Sequence, residues 1–169
     1  MKMQLVTPGL LIAFALCVLC VGHGRGIKQC AKTGVYIRAG SSCDREAAFL
    51  DRVANRAKTV LEYTGERTRE RILQRWDGSI HELEDQSNAP AVSTSKRDIR
   101  LCLKGNPSED AALFVIMHEM AHIACKSKGH TDEFWDTMRE IIDAAKQSGV
   151  YTSHDSNARV CGKVIGEMP

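Results

Sequence analysis

The sequence ALFVIMHEMAHIAC at residues 112–125 most constrains what this chain can fold into. Wound as an α-helix, it carries apolar side chains on almost every side, which predicts a helix buried in the core. His118, Glu119 and His122 nevertheless lie in its middle. Burying such groups without a partner costs about 1–3 kcal/mol each. We therefore expect the fold to supply a group that satisfies them.

The flanking residues predict where this helix begins and ends. Asn106 is a favourable N-cap, the proline after it suits a first helical position, and Glu109 completes a capping box. The helix is expected to end near residues 126–128, with Gly129 making a left-handed turn. Thr131 then caps a second helix. The chain should therefore reverse direction just after the buried helix.

The spacing of the polar residues points to a metal ion. His118 and His122 are four residues apart, so they project from one helix face with their Cβ atoms about 5–6 Å apart. Two imidazoles at that separation can both reach one zinc ion at about 2.0–2.1 Å. Glu119 lies one residue further round the helix, placed to act on a water at the metal. This is the H-E-x-x-H pattern.

A catalytic zinc ion usually has three protein ligands. His130 is the favoured third ligand, because the turn at Gly129 can return it towards the first two histidines. Glu133, one turn into the second helix, and Cys125, on the face of the first helix, are the alternatives. Cys125 reaches a metal between His118 and His122 poorly, since its side chain is short.

The stretch HEMAHIACKSKGHTDEFW, residues 118–135, resembles the active-site region of SprT-like and WLM-type zinc metallopeptidases. The resemblance implies a small zincin-like α+β domain, with a buried motif helix, a short sheet and a following helix. It also implies one zinc ion and hydrolysis of protein or peptide substrates, with Glu119 as the catalytic residue. The positions that match the family pattern are His118, Glu119, Met120, His122, Gly129, His130, Phe134 and Trp135.

Two further features bear on peptide hydrolysis. Tyr151 and His154 follow the second helix and are candidate donors to an oxyanion, although surface loop positions are the alternative for both. Residues 98–103 alternate as a strand does, and an edge strand there could align an extended peptide by backbone pairing. Phe134 and Trp135 are expected to pack the second helix against the first.

The N-terminus predicts membrane targeting. Residues 5–22 carry no charge and follow Lys2, which supplies a short positive region. The uninterrupted apolar part, residues 10–21, suits a signal-peptide core better than a full bilayer span of about 20 residues. Residues 1–24 are thus expected to be a signal peptide or a membrane anchor, and residues 25–169 the metallopeptidase domain. The expected location is the membrane or the secretory pathway.

Five cysteines lie outside residues 1–24, and an odd number cannot all pair within one chain. If the domain is extracytoplasmic, Cys30 and Cys43 are the expected disulfide, because both lie in a loop-like stretch. Buried thiols throughout are the alternative. The cysteines concerned are Cys30, Cys43, Cys102, Cys125 and Cys161.

Composition bounds the remaining possibilities. With 43% hydrophobic and 26% charged residues, the chain has the composition of one ordinary globular domain. Outside the motif region, local patterns predict a helix at 44–63, a strand at 79–84 and a polar loop at 88–95. The net charge of +2 makes nucleic acid an unfavourable partner. Two hypotheses compete with a membrane-targeted or secreted peptidase. One is a non-catalytic zinc module for structure or interaction at a membrane or particle, and the other is a SprT-type protease associated with nucleic acid.

Overall fold

A computed structural model describes residues 26–30, 35–84 and 89–166. The predicted leader, residues 1–24, lies outside them. Helices and strands are mixed along the described chain, which confirms the α+β class. The elements in order are β1 (Ile27–Gln29), β2 (Tyr36–Arg38), α1 (Glu46–Tyr63), α2 (Glu66–Leu73), β3 (Ile80–Glu82), β4 (Ala91–Thr94), β5 (Asp98–Leu101), α3 (Glu109–Ala124), α4 (Asp132–Gln147), β6 (Arg159–Val160) and β7 (Lys163–Val164).

Helix α1 begins two residues later than the sequence predicts. Ser42 donates its backbone N–H to Glu46 Oε2 at 2.9 Å, and Glu46 N donates back to the Ser42 carbonyl at 3.0 Å. These bonds hold Asp44 in a turn ahead of the helix. At the other end, Thr64 is extended and closes the helix, and Gly65 is the N-cap of α2.

The main sheet has the strand order β3-β5-β4, with β5 parallel to β3 and antiparallel to β4. Two predictions were wrong here. The expected polar loop at 88–95 contains strand β4, and the expected edge strand at 98–103 is the shorter, central strand β5. The turn between the two strands uses Ser95 and Lys96 at φ +52° and +56°. Neither residue is the Gly or Asn that usually occupies such a hairpin turn, so the sequence did not indicate a turn here.

Helix α3 lies at the centre of the fold. It packs against α1, α2 and α4, and also against β4, β5 and β6. Twelve of its side chains are buried, which confirms the prediction of a helix covered on nearly all sides. Glu119 is therefore buried by the other elements of the domain, whereas His118 and His122 are partly exposed.

Two disulfides fasten the outer segments to this core. Cys30–Cys43 joins the end of β1 to the turn before α1, as predicted. Cys102–Cys161 joins the residue after β5 to the β6–β7 turn. Its partners are 59 residues apart, and no local pattern in the sequence indicates that pairing. Disulfides of this kind contribute about 2–4 kcal/mol, chiefly by restricting the unfolded chain.

In the described ranges, no helix is long and apolar enough to cross a membrane. The apolar residues 5–22 fall outside those ranges.

Candidate metal centre

The start of α3 differs from the predicted capping box. The N-cap is Ser108, whose Oγ accepts a hydrogen bond from Ala111 N at 3.2 Å. Asn106 has φ +52°, a left-handed conformation that Asn tolerates well but that an N-cap, which is normally extended, does not have. The helix therefore begins at Glu109. The positions of its histidines on the buried face are unaffected.

The end of α3 also comes earlier than predicted. The last helical residue is Ala124, and Cys125 is already extended, with ψ 146°. The predicted end at 126–128 was wrong because a network of side chains fixes those residues in a loop. Lys96 donates from its ammonium group to the carbonyl oxygens of Cys125 and Ser127. This loop is the segment that carries the chain back towards α3.

The turn and the second cap form as the sequence predicts. Gly129 has φ +77°, the left-handed region that glycine enters without steric cost. Thr131 caps α4, with its Oγ1 accepting from Phe134 N at 3.4 Å. The reversal between these two residues sets His130 against the face of α3 that carries the other two histidines.

The three histidines converge through their ring nitrogens. His118 Nε2 lies 3.1 Å from His122 Nε2 and 3.1 Å from His130 Nε2. The candidate ligand atoms of all three lie within 4.8 Å of one another. Two nitrogens about 2.0–2.1 Å from a single zinc ion would be about 3.1 Å apart at a bond angle near 100°. Two of the three distances between the histidine nitrogens therefore fit a single zinc ion bound by all three rings.

The hydrogen-bond capacity of the histidines also favours a cation. A ring nitrogen carries either one proton or one lone pair. His118 Nε2 can therefore satisfy one of its two close neighbours, but not both. A metal ion that accepts a lone pair from each ring removes this conflict, because no nitrogen then needs a proton on the converging side.

Burial keeps two of these rings neutral. It lowers the pKa of His118 to about 4, with further lowering by the neighbouring imidazoles of His122 and His130. It also lowers the pKa of His122 to about 4, helped by His130 and the Lys96 ammonium. Both rings are therefore unprotonated near pH 7, which is the state that binds metals.

The two alternative ligands are engaged elsewhere. Glu133 accepts hydrogen bonds from Lys126 N at 3.3 Å and from Ser127 N and Oγ at 3.2 and 2.8 Å. Cys125 is fully buried, and its thiol bonds Thr137 Oγ1 at 3.5 Å. Burial raises the pKa of that thiol. Glu133 thus fastens the loop that presents His130, while Cys125 packs in the core.

Glu119 lies beside the histidines and is 8% exposed. Burial raises the pKa of its carboxyl, and the hydroxyl and backbone N–H of Ser93 on β4 offset part of that rise by hydrogen bonding. A carboxylate with a raised pKa is a stronger base than an exposed one. The side chain is therefore suited to accepting a proton.

The candidate oxyanion donors are bonded to each other. His154 Nε2 donates to the Ile165 carbonyl at 3.2 Å, so its Nδ1 accepts from the Tyr151 hydroxyl at 2.7 Å. The His154 ring also packs against Phe114, with 4.5 Å between ring centroids. Through these contacts, Tyr151 and His154 hold the segment after α4 in contact with α3.

Sequence reasoning missed the contributions of Ser93 and Lys96. Ser93 lies in the segment that we expected to be a polar loop, and Lys96 follows that segment directly. The β-branched residues Val92 and Thr94 were the available signal for a strand. His81 on β3 accepts a hydrogen bond from Tyr36 N at 3.2 Å.

Comparisons with known proteins find two viral relatives, neither of which has a stated activity. The chain is 34% identical over 77 residues to the uncharacterized protein 136R of Invertebrate iridescent virus 6, across 41% of this chain and 43% of that protein. It is 32% identical over 74 residues to the uncharacterized protein 042R of Invertebrate iridescent virus 3, across 41% and 45% respectively. The matches thus span less than half of the length of either relative. No protein-family model and no solved structure matches the chain.

Proposed function

We propose that this protein is a zinc-dependent endopeptidase of the zincin type, related in its site to the SprT-like and WLM-type enzymes. The observation that carries the proposal is the convergence of three histidine nitrogens beside a buried glutamate. His118, His122 and His130 would hold one zinc ion, and Glu119 would remain free of it. Three neutral nitrogen ligands leave a fourth position open, as catalytic zinc sites do.

The catalytic steps assigned to this chain rest on Glu119. A bound zinc ion would lower the pKa of a water towards about 7 and polarise a peptide carbonyl. Glu119 accepts the proton of the attacking water and then donates it to the leaving amine. The hydroxyl and backbone N–H of Ser93 favour the ionised form of the carboxyl, which is the form that accepts the proton. The histidines hold their positions and exchange no proton.

Strand β4 offers a place for an extended substrate. It is an edge strand of the described sheet. The Pro90 carbonyl accepts from Cys102 N at 2.9 Å and so faces β5. Because alternate residues of an antiparallel strand face opposite ways, the backbone groups of Ala91 and Ser93 face outward. Ala91 is 7% exposed, so a peptide would reach its outward backbone groups only along the rim of the strand.

Chelation tests this function directly. We expect the purified protein to cleave an unfolded protein or a peptide library, to lose that activity in 1,10-phenanthroline, and to regain it with zinc but not with magnesium. Circular dichroism of the chelated protein should show that the fold is retained. Cleavage that a chelator does not affect would contradict the proposal. A zinc-loaded protein that cleaves nothing between about pH 5 and 9 would favour the non-catalytic zinc module.

We also propose that the chain enters the secretory pathway or a membrane. The two disulfides, Cys30–Cys43 and Cys102–Cys161, support this location because such bonds persist in oxidising compartments. In a eukaryotic cell, the full chain should appear in the membrane or secreted fraction, and deletion of residues 1–24 should leave it in the cytosol. N-terminal sequencing then distinguishes a cleaved signal from a retained anchor. Intact full-length protein in the cytosol would contradict the proposal.

A further inference from the structure

Phe134 occupies the space directly against all three histidines. Its ring centroid lies 4.9 Å from that of His118, 4.4 Å from that of His122 and 4.7 Å from that of His130. The side chain has no exposed surface. One residue therefore contacts every proposed ligand at aromatic packing distance, although the ligands come from a helix and a separate loop.

The local structure explains how Phe134 reaches this place. It lies in the first turn of α4, and its backbone N–H is held by the Thr131 cap. The reversal at Gly129 that presents His130 also brings this turn of α4 against α3. The position of the ring and the position of the third histidine are thus set by the same cap.

Metal-binding histidines in proteins are usually oriented by a hydrogen bond at the ring nitrogen that does not bind the metal. The close contacts between these histidines join their Nε2 atoms. Within residues 26–30, 35–84 and 89–166, no hydrogen bond reaches Nδ1 of His118, His122 or His130. In the described chain, ring packing is therefore the contact that sets the angle of these rings: Phe134 touches all three, and Trp135 also lies 5.4 Å from His130 between ring centroids.

We propose that Phe134 is a positioning residue for the metal site, whose ring holds the three imidazoles gathered before the ion arrives. This inference rests on the proposed function, since it takes the three histidines to be the ligands. A gathered set of ligands binds more tightly, because less conformational freedom is lost on binding. Leucine keeps an apolar side chain at this position but removes the flat face.

The test compares the zinc affinity of the full chain with that of Phe134→Leu, using a competing chelator indicator. We expect a loss of about 10- to 100-fold, the usual effect of removing a partner that orients a ligand. The visible absorption of the cobalt(II)-loaded protein should also change, because it reports the geometry of the ligands. Phe134→Met serves as a second variant in case the leucine variant does not fold.

Met138→Ala is the matched control. Met138 is fully buried one turn further along α4, so its loss should lower the melting temperature while leaving zinc affinity and the cobalt spectrum as in the wild type. Wild-type affinity and spectrum in a folded Phe134 variant would overturn this inference alone. A folded wild-type chain that binds no zinc would overturn the inference and the proposed function together.

Discussion

Replacing Glu119 with Gln should lower peptide hydrolysis by about 10²- to 10⁴-fold, the usual contribution of a positioned general base. Glutamine keeps the size of the side chain and an oxygen that can accept from Ser93, but it cannot take up a proton. Zinc content should not change, because Glu119 is assigned to the proton transfers and not to the metal. Hydrolysis rates and metal content would be measured on the same purified samples.

Glu82→Gln is the matched control for that variant. Glu82 is the other buried glutamate of the described chain, and it accepts hydrogen bonds from Arg38. It is not among the residues that could hold the metal ion. Its replacement should lower stability without a comparable loss of hydrolysis per folded molecule. Loss of zinc in Glu119→Gln would show that Glu119 is a ligand. Wild-type hydrolysis in that variant would assign the base to another group.

Replacing His130 with Ala should weaken zinc binding by more than about 100-fold, beyond the usual effect of losing an outer partner of a ligand. His130 is exposed on its loop, so the metal-free variant should melt at nearly the wild-type temperature. Zinc at about 100 times its dissociation constant stabilises a folded protein by about 2.7 kcal/mol. A clear upward shift of the melting temperature on zinc addition is thus expected in the wild type but not in the variant.

His81→Ala is the control for this experiment. His81 is a partly buried histidine in β3, so its loss should reduce stability but preserve the zinc-induced shift. If His130→Ala keeps wild-type zinc affinity, the third ligand is another residue. Glu133 and Cys125 would then be the first to replace.

The sequence predicted those parts of the site that depend on local spacing. The four-residue interval between His118 and His122 places them on one helix face whatever surrounds the helix. The apolar residues around them predicted its burial correctly. The reversal that returns His130 also followed from local signals, namely the conformation of Gly129 and the cap at Thr131. Each of these features depends on a few neighbouring residues.

The parts that sequence reasoning missed depend on contacts between distant segments. Ser93 reaches Glu119 only because β4 pairs with β5 and both pack beneath α3. The Cys102–Cys161 disulfide joins segments whose proximity is decided by the whole fold. The cap at Ser108 was missed for a local reason, since Asn106 is as good a candidate by type and is excluded only by its left-handed backbone.

Metal analysis of the purified protein tests the central claim most directly. The protein should be prepared without chelators and without added metal, and its folding verified by circular dichroism. We expect about one zinc ion per chain, as one site with three histidine ligands and an open position implies. A folded protein with a zinc content near zero, and with no uptake on titration, would contradict the claim that His118, His122 and His130 form a zinc site.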